Sequence, residues 1–285
     1  MSIEYSQANI EVVNDTTSLI SLIDRLPSLP THPPLLYIDI EGIKISRHGS
    51  ISIISLYVAP MKKTFLIDVH CLGRSTFSTA NLEGISLKII LESPTIRKVI
   101  FDIRNDSDAL FCHYQVSVNG IVDLQLMELA SRQGSRDYVA GLAKCIRNDS
   151  PLSAAMKQEW ELIKVCGTQL FDPKKGGRYE IFNERPMRPE ITRYCAQDVA
   201  LLPQLYVVYK TKLSPPGQAF WRAQVQHETA ARIKLSQSAS YDPHSKSKAH
   251  GPWDKWNIKK ATEDWNEDVL FNAKNGDHQD YDYDI

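Results

Sequence analysis

The chain has 285 residues, with 33 Lys and Arg against 34 Asp and Glu, a formal charge of −1 and a pI of about 6.7. Hydrophobic residues make up 42% and charged residues 24%, which excludes a wholly disordered chain, a collagen-like repeat and a strongly basic packaging protein. No run of about 18 apolar residues occurs, so no membrane span is expected.

Residues 1–15 are polar and predict no element. They lack the basic start and apolar block of a secretory signal. Cys71, Cys112, Cys145, Cys166 and Cys195 are scattered and form no CxxC pair, so neither a disulfide framework nor a structural zinc site is expected. Together these features predict an intracellular protein, with nucleus or cytoplasm undecided. The apolar face of Leu19, Ile20, Leu22, Ile23 and Leu26 predicts a helix from Thr16 to Leu26. Pro27, Pro30, Pro33 and Pro34 then impose an extended connector, so 1–34 reads as an N-terminal helix followed by a Pro-rich link.

Three β-branched runs follow, LLYIDIE (35–41), SISIISLYV (50–58) and TFLIDV (64–69), spaced like a meander of hairpins. The pattern then alternates. Helices are predicted at 82–91, 107–114, 124–132, 138–145 and 154–164, and short strands at 98–102 and 121–123. The Pro-, Gly- and charge-rich stretch 172–189 predicts an exposed loop, 190–213 a long helix, and 214–235 a C-terminal amphipathic helix. From Ser236 the composition turns to Ser, Lys, His, Asp and Asn, predicting a disordered tail over 236–285. Trp253, Trp256 and Trp265 are unusual there, and suit docking on the body, docking on a partner protein, or plain solvent exposure. This order of elements predicts an α/β layer fold with a mixed sheet.

Three groups of residues carry candidate chemistry. Asp39 and Glu41 alternate on one face of the first strand. Carboxylates that close repel unless one is protonated or a cation lies between them. Read alone, the pair is either a solvated strand end or a metal site. Asp102, Asp106 and Asp108 crowd a strand-to-helix junction in FDIRNDSDAL; capping needs one carboxylate and leaves the others unexplained. Tyr194 and Asp198 lie four residues apart in RYCAQDVALL and so share a helix face.

In order and local context, these groups resemble the DEDD superfamily of 3′–5′ exonucleases, in its tyrosine-bearing subgroup, and most closely the eukaryotic 3′–5′ exonuclease-domain-containing proteins. The motifs that carry the resemblance are IDIEGIKISRHGSISIISL, FDIRNDSDAL and NERPMRPE ahead of the Tyr motif. They place the exonuclease domain at 35–213. The resemblance implies an RNase H-like fold, with a five-stranded mixed sheet flanked by helices. It implies hydrolysis of phosphodiester bonds from the 3′ end of single-stranded RNA or DNA, with Asp39, Glu41, Asp106, Tyr194 and Asp198 as the catalytic set. Asp39, Glu41, Asp106 and Asp198 would hold two divalent cations, and Tyr194 would orient water. All-oxygen ligation suits Mg²⁺ or Mn²⁺. Asp123 is expected to support the fold.

Nucleic-acid contacts are expected from Arg47 in the first hairpin connection and from Lys174, Lys175, Arg178, Arg185 and Arg188 ahead of the catalytic helix. The alternative for that loop is a set of local ion pairs. The competing function is a weakly active or inactive RNA-binding adaptor on the same fold.

Overall fold

The computed structural model describes residues 9–26 and 34–275. Nearly all of the expected Pro-rich connector, and 276–285 of the expected tail, lie outside the described residues.

The sheet contains β1 (Ile10–Val13), β2 (Leu36–Ile43), β3 (Ser50–Val58), β4 (Lys63–Asp68), β5 (Lys98–Ile100) and β6 (Ile121–Asp123), in the order β1-β4-β3-β2-β5-β6. β2, β3 and β4 form the expected antiparallel meander, while β5 and β6 add in parallel beside β2. The sheet is therefore mixed, as expected, but has six strands rather than five. The additional strand is β1, parallel to β4, in a stretch whose composition predicts no element. Its four residues are too few to show a period-2 signal, and pairing with β4 decides their conformation.

The helices are α1 (Thr16–Ile23), the single turns α2 (Val69–Leu72) and α3 (Ser75–Ser78), α4 (Leu87–Glu92), α5 (Arg104–Tyr114), α6 (Leu124–Ala130), α7 (Leu142–Asp149), α8 (Ala154–Phe171), α9 (Pro189–Ala200), α10 (Leu202–Leu213), α11 (Ala219–Ser236) and α12 (Lys255–Asn275). They cover both faces of the sheet. β3 is consequently buried almost throughout, with Ile51, Ile54 and Leu56 on one face and Ile53 on the other. The first face carries α1, α4 and α5, and the second carries α6, α9 and α10.

Several boundaries differ from the sequence expectations. The helix expected over 190–213 is two helices meeting at Leu201. Pro203 has no N–H to give Val199, and it occupies the first turn of α10, where none is required. The helix expected over 82–91 begins only after Ser86, whose side chain caps it. The loop expected to be exposed over 172–189 is partly buried and pinned to the body. Ile181 and Phe182 are buried, and Ser52 Oγ donates to Asn183 Oδ1 at 2.6 Å.

The disorder expected from 236 does not hold for the stretch up to Trp253. Tyr241 and Trp253 are buried, and Trp253 meets Trp221 edge-on with ring centroids 5.4 Å apart. Two aromatic anchors suffice to fix a segment whose average composition is polar. Of the other two tryptophans after Ser236, Trp265 meets Phe220 edge-on and Trp256 is exposed.

Candidate active site

β2 lies between β3 and β5, so its polar positions emerge at the middle of the sheet. Its pattern alternates buried Ile38 and Ile40 with half-buried Asp39 and Glu41, and the two carboxylates share one face. The register shifts between Glu41 and Gly42, a bulge that interrupts the pairing beside Glu41 before it resumes at Gly42 and Ile43. Gly42 is required there, because a Cβ would lie 2.9 Å from Ser52 N, inside contact distance.

α9 packs on β2, β3 and β4 and brings Tyr194 and Asp198 to the same place. Pro189 at its first turn and Glu190 beside it suit a helix N-terminus. Asp39, Glu41 and Asp198 each present an oxygen within 4.8 Å of the others. Asp106, in the first turn of α5, lies outside this triplet but is buried close enough to feel it.

These carboxylates are poorly compensated. Burial pushes Asp39 up to about 7, and the charge of Asp198 adds to this while Lys164 works against it. Burial and the charge of Asp39 hold Glu41 well above its ordinary range. Asp106 is raised by burial and then by Asp39, Asp102 and Glu41. Burial also raises Asp198, although Lys164 and Tyr194 oppose it. Four acidic side chains are thus held together at a cost in free energy, an arrangement characteristic of functional sites. Tyr194 is held well above the ordinary tyrosine value by burial and by the charges of Glu41 and Asp198, so it stands as a neutral phenol able to donate its hydrogen.

The donor set fits a hard divalent cation. All of its ligand atoms are carboxylate oxygens, and Asp198 Oδ1 is buried with no hydrogen-bond partner. An orphaned carboxylate oxygen inside a protein is costly unless a cation or donor completes it.

Two residues that sequence reasoning does not single out belong to this site. Lys164 of α8 pairs with Asp198, donates to Tyr194 Oη at 3.1 Å, and lies 4.4 Å from the centre of the Tyr194 ring. Burial pulls its ammonium down, but Asp198, Glu41 and Asp39 more than offset this and raise it. Gly167, one turn further on, lets the Tyr194 ring rest against α8; a Cβ there would lie 2.7 Å from Tyr194 Cγ. The spacing Lys-x-x-Gly carries no chemistry by itself and becomes meaningful only when α8 meets α9.

The remaining acidic residues of FDIRNDSDAL are paired off. Asp102 takes two hydrogen bonds from Arg104, at 2.6 and 2.8 Å. Asp108 is fully buried and accepts from both the backbone N and Nε of Arg47, each at 2.7 Å. Asp123 accepts from the backbone of Asp102, Ile103 and Gln125 and from Arg232, holding the strand ends together.

Two of the six expected nucleic-acid contacts are otherwise engaged. Besides Asp108, the Arg47 guanidinium donates to the carbonyls of Ser236 and Ser238 at 2.8 and 2.7 Å, so it clamps the first hairpin to α5 and the end of α11. Arg185 is paired with the buried Asp68 and donates to the carbonyls of Phe182 and Glu184, pinning the loop to β4. Planar guanidinium groups committed in this way have few donors left for phosphate. Lys174, Lys175, Arg178 and Arg188 are exposed; Arg178 and Arg188 share Glu184, and Lys175 donates to Thr168.

The profile of a 3′–5′ exonuclease domain family matches residues 10–213. The chain is 28% identical over 179 residues to a mouse protein named piRNA biogenesis protein EXD1, covering 61% of this chain and 29% of that protein. The human protein of the same name is 32% identical over 112 residues, covering 39% and 20%. The chain therefore spans less than a third of these relatives' length. Among solved structures, Trypanosoma brucei RNase D in complex with GMP matches with a TM-score of 0.67 at 19% identity, covering 89% of this chain and 71% of that one. Its complex with RNA U12 gives 0.65 at 19% identity, covering 88% and 78%. Escherichia coli RNase D gives 0.56 at 16%, covering 81% and 51%. These likenesses share the layered mixed sheet described above.

Proposed function

The chain belongs to the 3′–5′ exonuclease domain family, and from that premise we propose that it is a metal-dependent hydrolase that removes nucleotides from the 3′ end of a single-stranded nucleic acid. The observation that carries this reading is the convergence of Asp39, Glu41 and Asp198 within 4.8 Å, with Asp198 Oδ1 buried and unpartnered. Asp39, Glu41 and Asp198 would hold the first cation, and Asp106, with Asp39, a second; both would be Mg²⁺ or Mn²⁺. When bound, such ions lower the pKa of water and neutralise charge on the leaving 3′ oxygen.

The protein's own residues do the rest. Tyr194, kept as a phenol by its surroundings, offers a hydrogen bond to the attacking water and keeps it directed at the phosphate. Gly167 and α8 fix the ring's position. The buried walls contributed by Ile53, Phe182 and Cys195 restrict bulk water. Exposed Lys174, Lys175, Arg178 and Arg188, just ahead of α9, supply positive charge for the strand backbone. RNA is the first substrate to test, because the T. brucei RNase D was solved with RNA.

A second reading, an RNA-binding adaptor on the same fold, is favoured by one observation, the Lys164 ammonium standing against Asp198. The deciding experiment uses 5′-labelled single-stranded RNA and DNA of one sequence with Mg²⁺, Mn²⁺ or EDTA, alongside Asp39→Ala. A metal-dependent ladder shortening from the 3′ end, absent in the variant, is expected. A ladder that persists in Asp39→Ala overturns the site assignment. Binding without hydrolysis moves the chain to the adaptor reading.

A further inference from the structure

The acidic site already contains a cation of the chain's own making. The Asp198 side chain is 3% exposed; one oxygen is engaged by Lys164 Nζ, while Oδ1 has no partner. Asp39, Glu41 and Asp198 crowd within 4.8 Å. A cation drawing on all three therefore sits beside the ammonium, and two positive charges a few ångströms apart inside a protein repel strongly. In the position where it pairs with Asp198, Lys164 also faces two aromatic rings. Its ammonium lies 4.4 Å from the Tyr194 ring centre and 5.9 Å from that of Trp160, and its side chain is 24% exposed. Aromatic faces hold an ammonium that has left its carboxylate.

We propose that Lys164 is a resident counter-ion of the carboxylate site, which a divalent cation must displace from Asp198 in order to bind. This inference rests on the metal-binding reading above. It makes the Lys164–Asp198 ion pair and full metal ligation mutually exclusive. The chain then binds its cation more weakly than three converging carboxylates would otherwise allow, and Lys164 sets the metal concentration at which the site fills.

The test is Mn²⁺ binding to the purified full chain, read from the magnetic resonance signal of the free aquo ion at mildly alkaline pH. Wild type is compared with Lys164→Met, Lys164→Gln, Lys164→Arg and Asp198→Asn. Lys164→Met and Lys164→Gln are expected to bind at least about tenfold more tightly, which is about 1.4 kcal/mol, with Lys164→Arg close to wild type and Asp198→Asn weaker. The same variants melted with and without Mn²⁺ provide a second readout. The metal-induced rise in melting temperature is expected to be larger in Lys164→Gln, which can still hydrogen-bond Tyr194, than in wild type.

Equal or weaker binding in both Met and Gln variants overturns the inference and leaves Lys164 as a support for the ligands. Absence of Mn²⁺ binding in wild type and all Lys164 variants alike overturns the metal site itself, and the inference with it. The two failures are distinguished by whether wild type binds.

Discussion

Two sets of acidic residues lie close together in this protein and are treated in opposite ways. Asp102, Asp108 and Asp123 are each matched to an arginine, Arg104, Arg47 and Arg232, and Asp108 and Asp123 accept from backbone N–H groups as well. Asp39, Glu41 and Asp198 share Lys164, Asp106 feels Lys248 instead, and neighbouring members of the set repel one another. The contrast appears directly in protonation. Burial works upward on Asp102, yet Arg104 overrides it and holds the carboxyl below its ordinary value, whereas Asp39 rises to about 7. Carboxylates that hold the fold together are fully answered within the chain. Those left unanswered are available to an outside cation.

The sharpest way to break this comparison is to remove one member from each set. Asp123→Ala takes the 2.7 Å partner from the buried Arg232 and leaves it Asp102 at 3.6 Å. It should cost about 3–5 kcal/mol of stability in denaturant melts. Asp39→Ala should remove hydrolysis while leaving the metal-free protein at least as stable as wild type, because it relieves repulsion. Equal destabilisation by both substitutions would erase the distinction.

Acidity separates the two sets next. Asp39 has a folded-state value above its unfolded one of about 4. Its contribution to stability is complete below about pH 4 and is lost as the pH rises through about 7. Asp102 is depressed instead, so its contribution exists above about pH 4 and is lost as the pH falls. In EDTA, Asp39→Asn should flatten the stability profile between about pH 4 and 7, by up to a few kcal/mol. Asp102→Asn should change it only on the acid side. Melting curves across this range check both, and added Mn²⁺ should reverse the neutral-side loss.

A smaller effect tests the support behind Tyr194. Gly167→Ala forces a methyl into the tyrosine ring and should cost about 1–3 kcal/mol. It should lower kcat by more than it raises KM. The smallest effect concerns the surface. Lys174→Ala combined with Lys175→Ala should weaken strand binding in a salt-dependent way, reducing the slope of log affinity against log salt by about one to two. Arg47→Ala and Arg185→Ala should instead appear as losses of stability, because both arginines are held in buried ion pairs.

Much of this was legible beforehand, for identifiable reasons. Strands β2, β3 and β4 carry enough β-branched residues for their period to be read, and Asp39 with Glu41, or Tyr194 with Asp198, face the same way by local geometry alone. β1 and the docked segment around Trp253 were not legible, because a parallel partner strand and two buried aromatic anchors outweigh polar composition there. The break at Leu201 has a local cause in Pro203 that periodicity alone passes over.

The sequence by itself determined most of the elements, their order and which acidic pairs share a face, since these follow from periods of 2 and 3.6 residues. Only the tertiary structure decided which of Asp102, Asp106 and Asp108 remains without an arginine, that Arg47 and Arg185 turn inward, and that Lys164 and Gly167 belong to the site. Those outcomes depend on which distant elements meet: α8 against α9, the first hairpin against α11, and β4 against the loop before α9. Charge pairing and close packing are properties of such meetings, and no spacing along the chain encodes them.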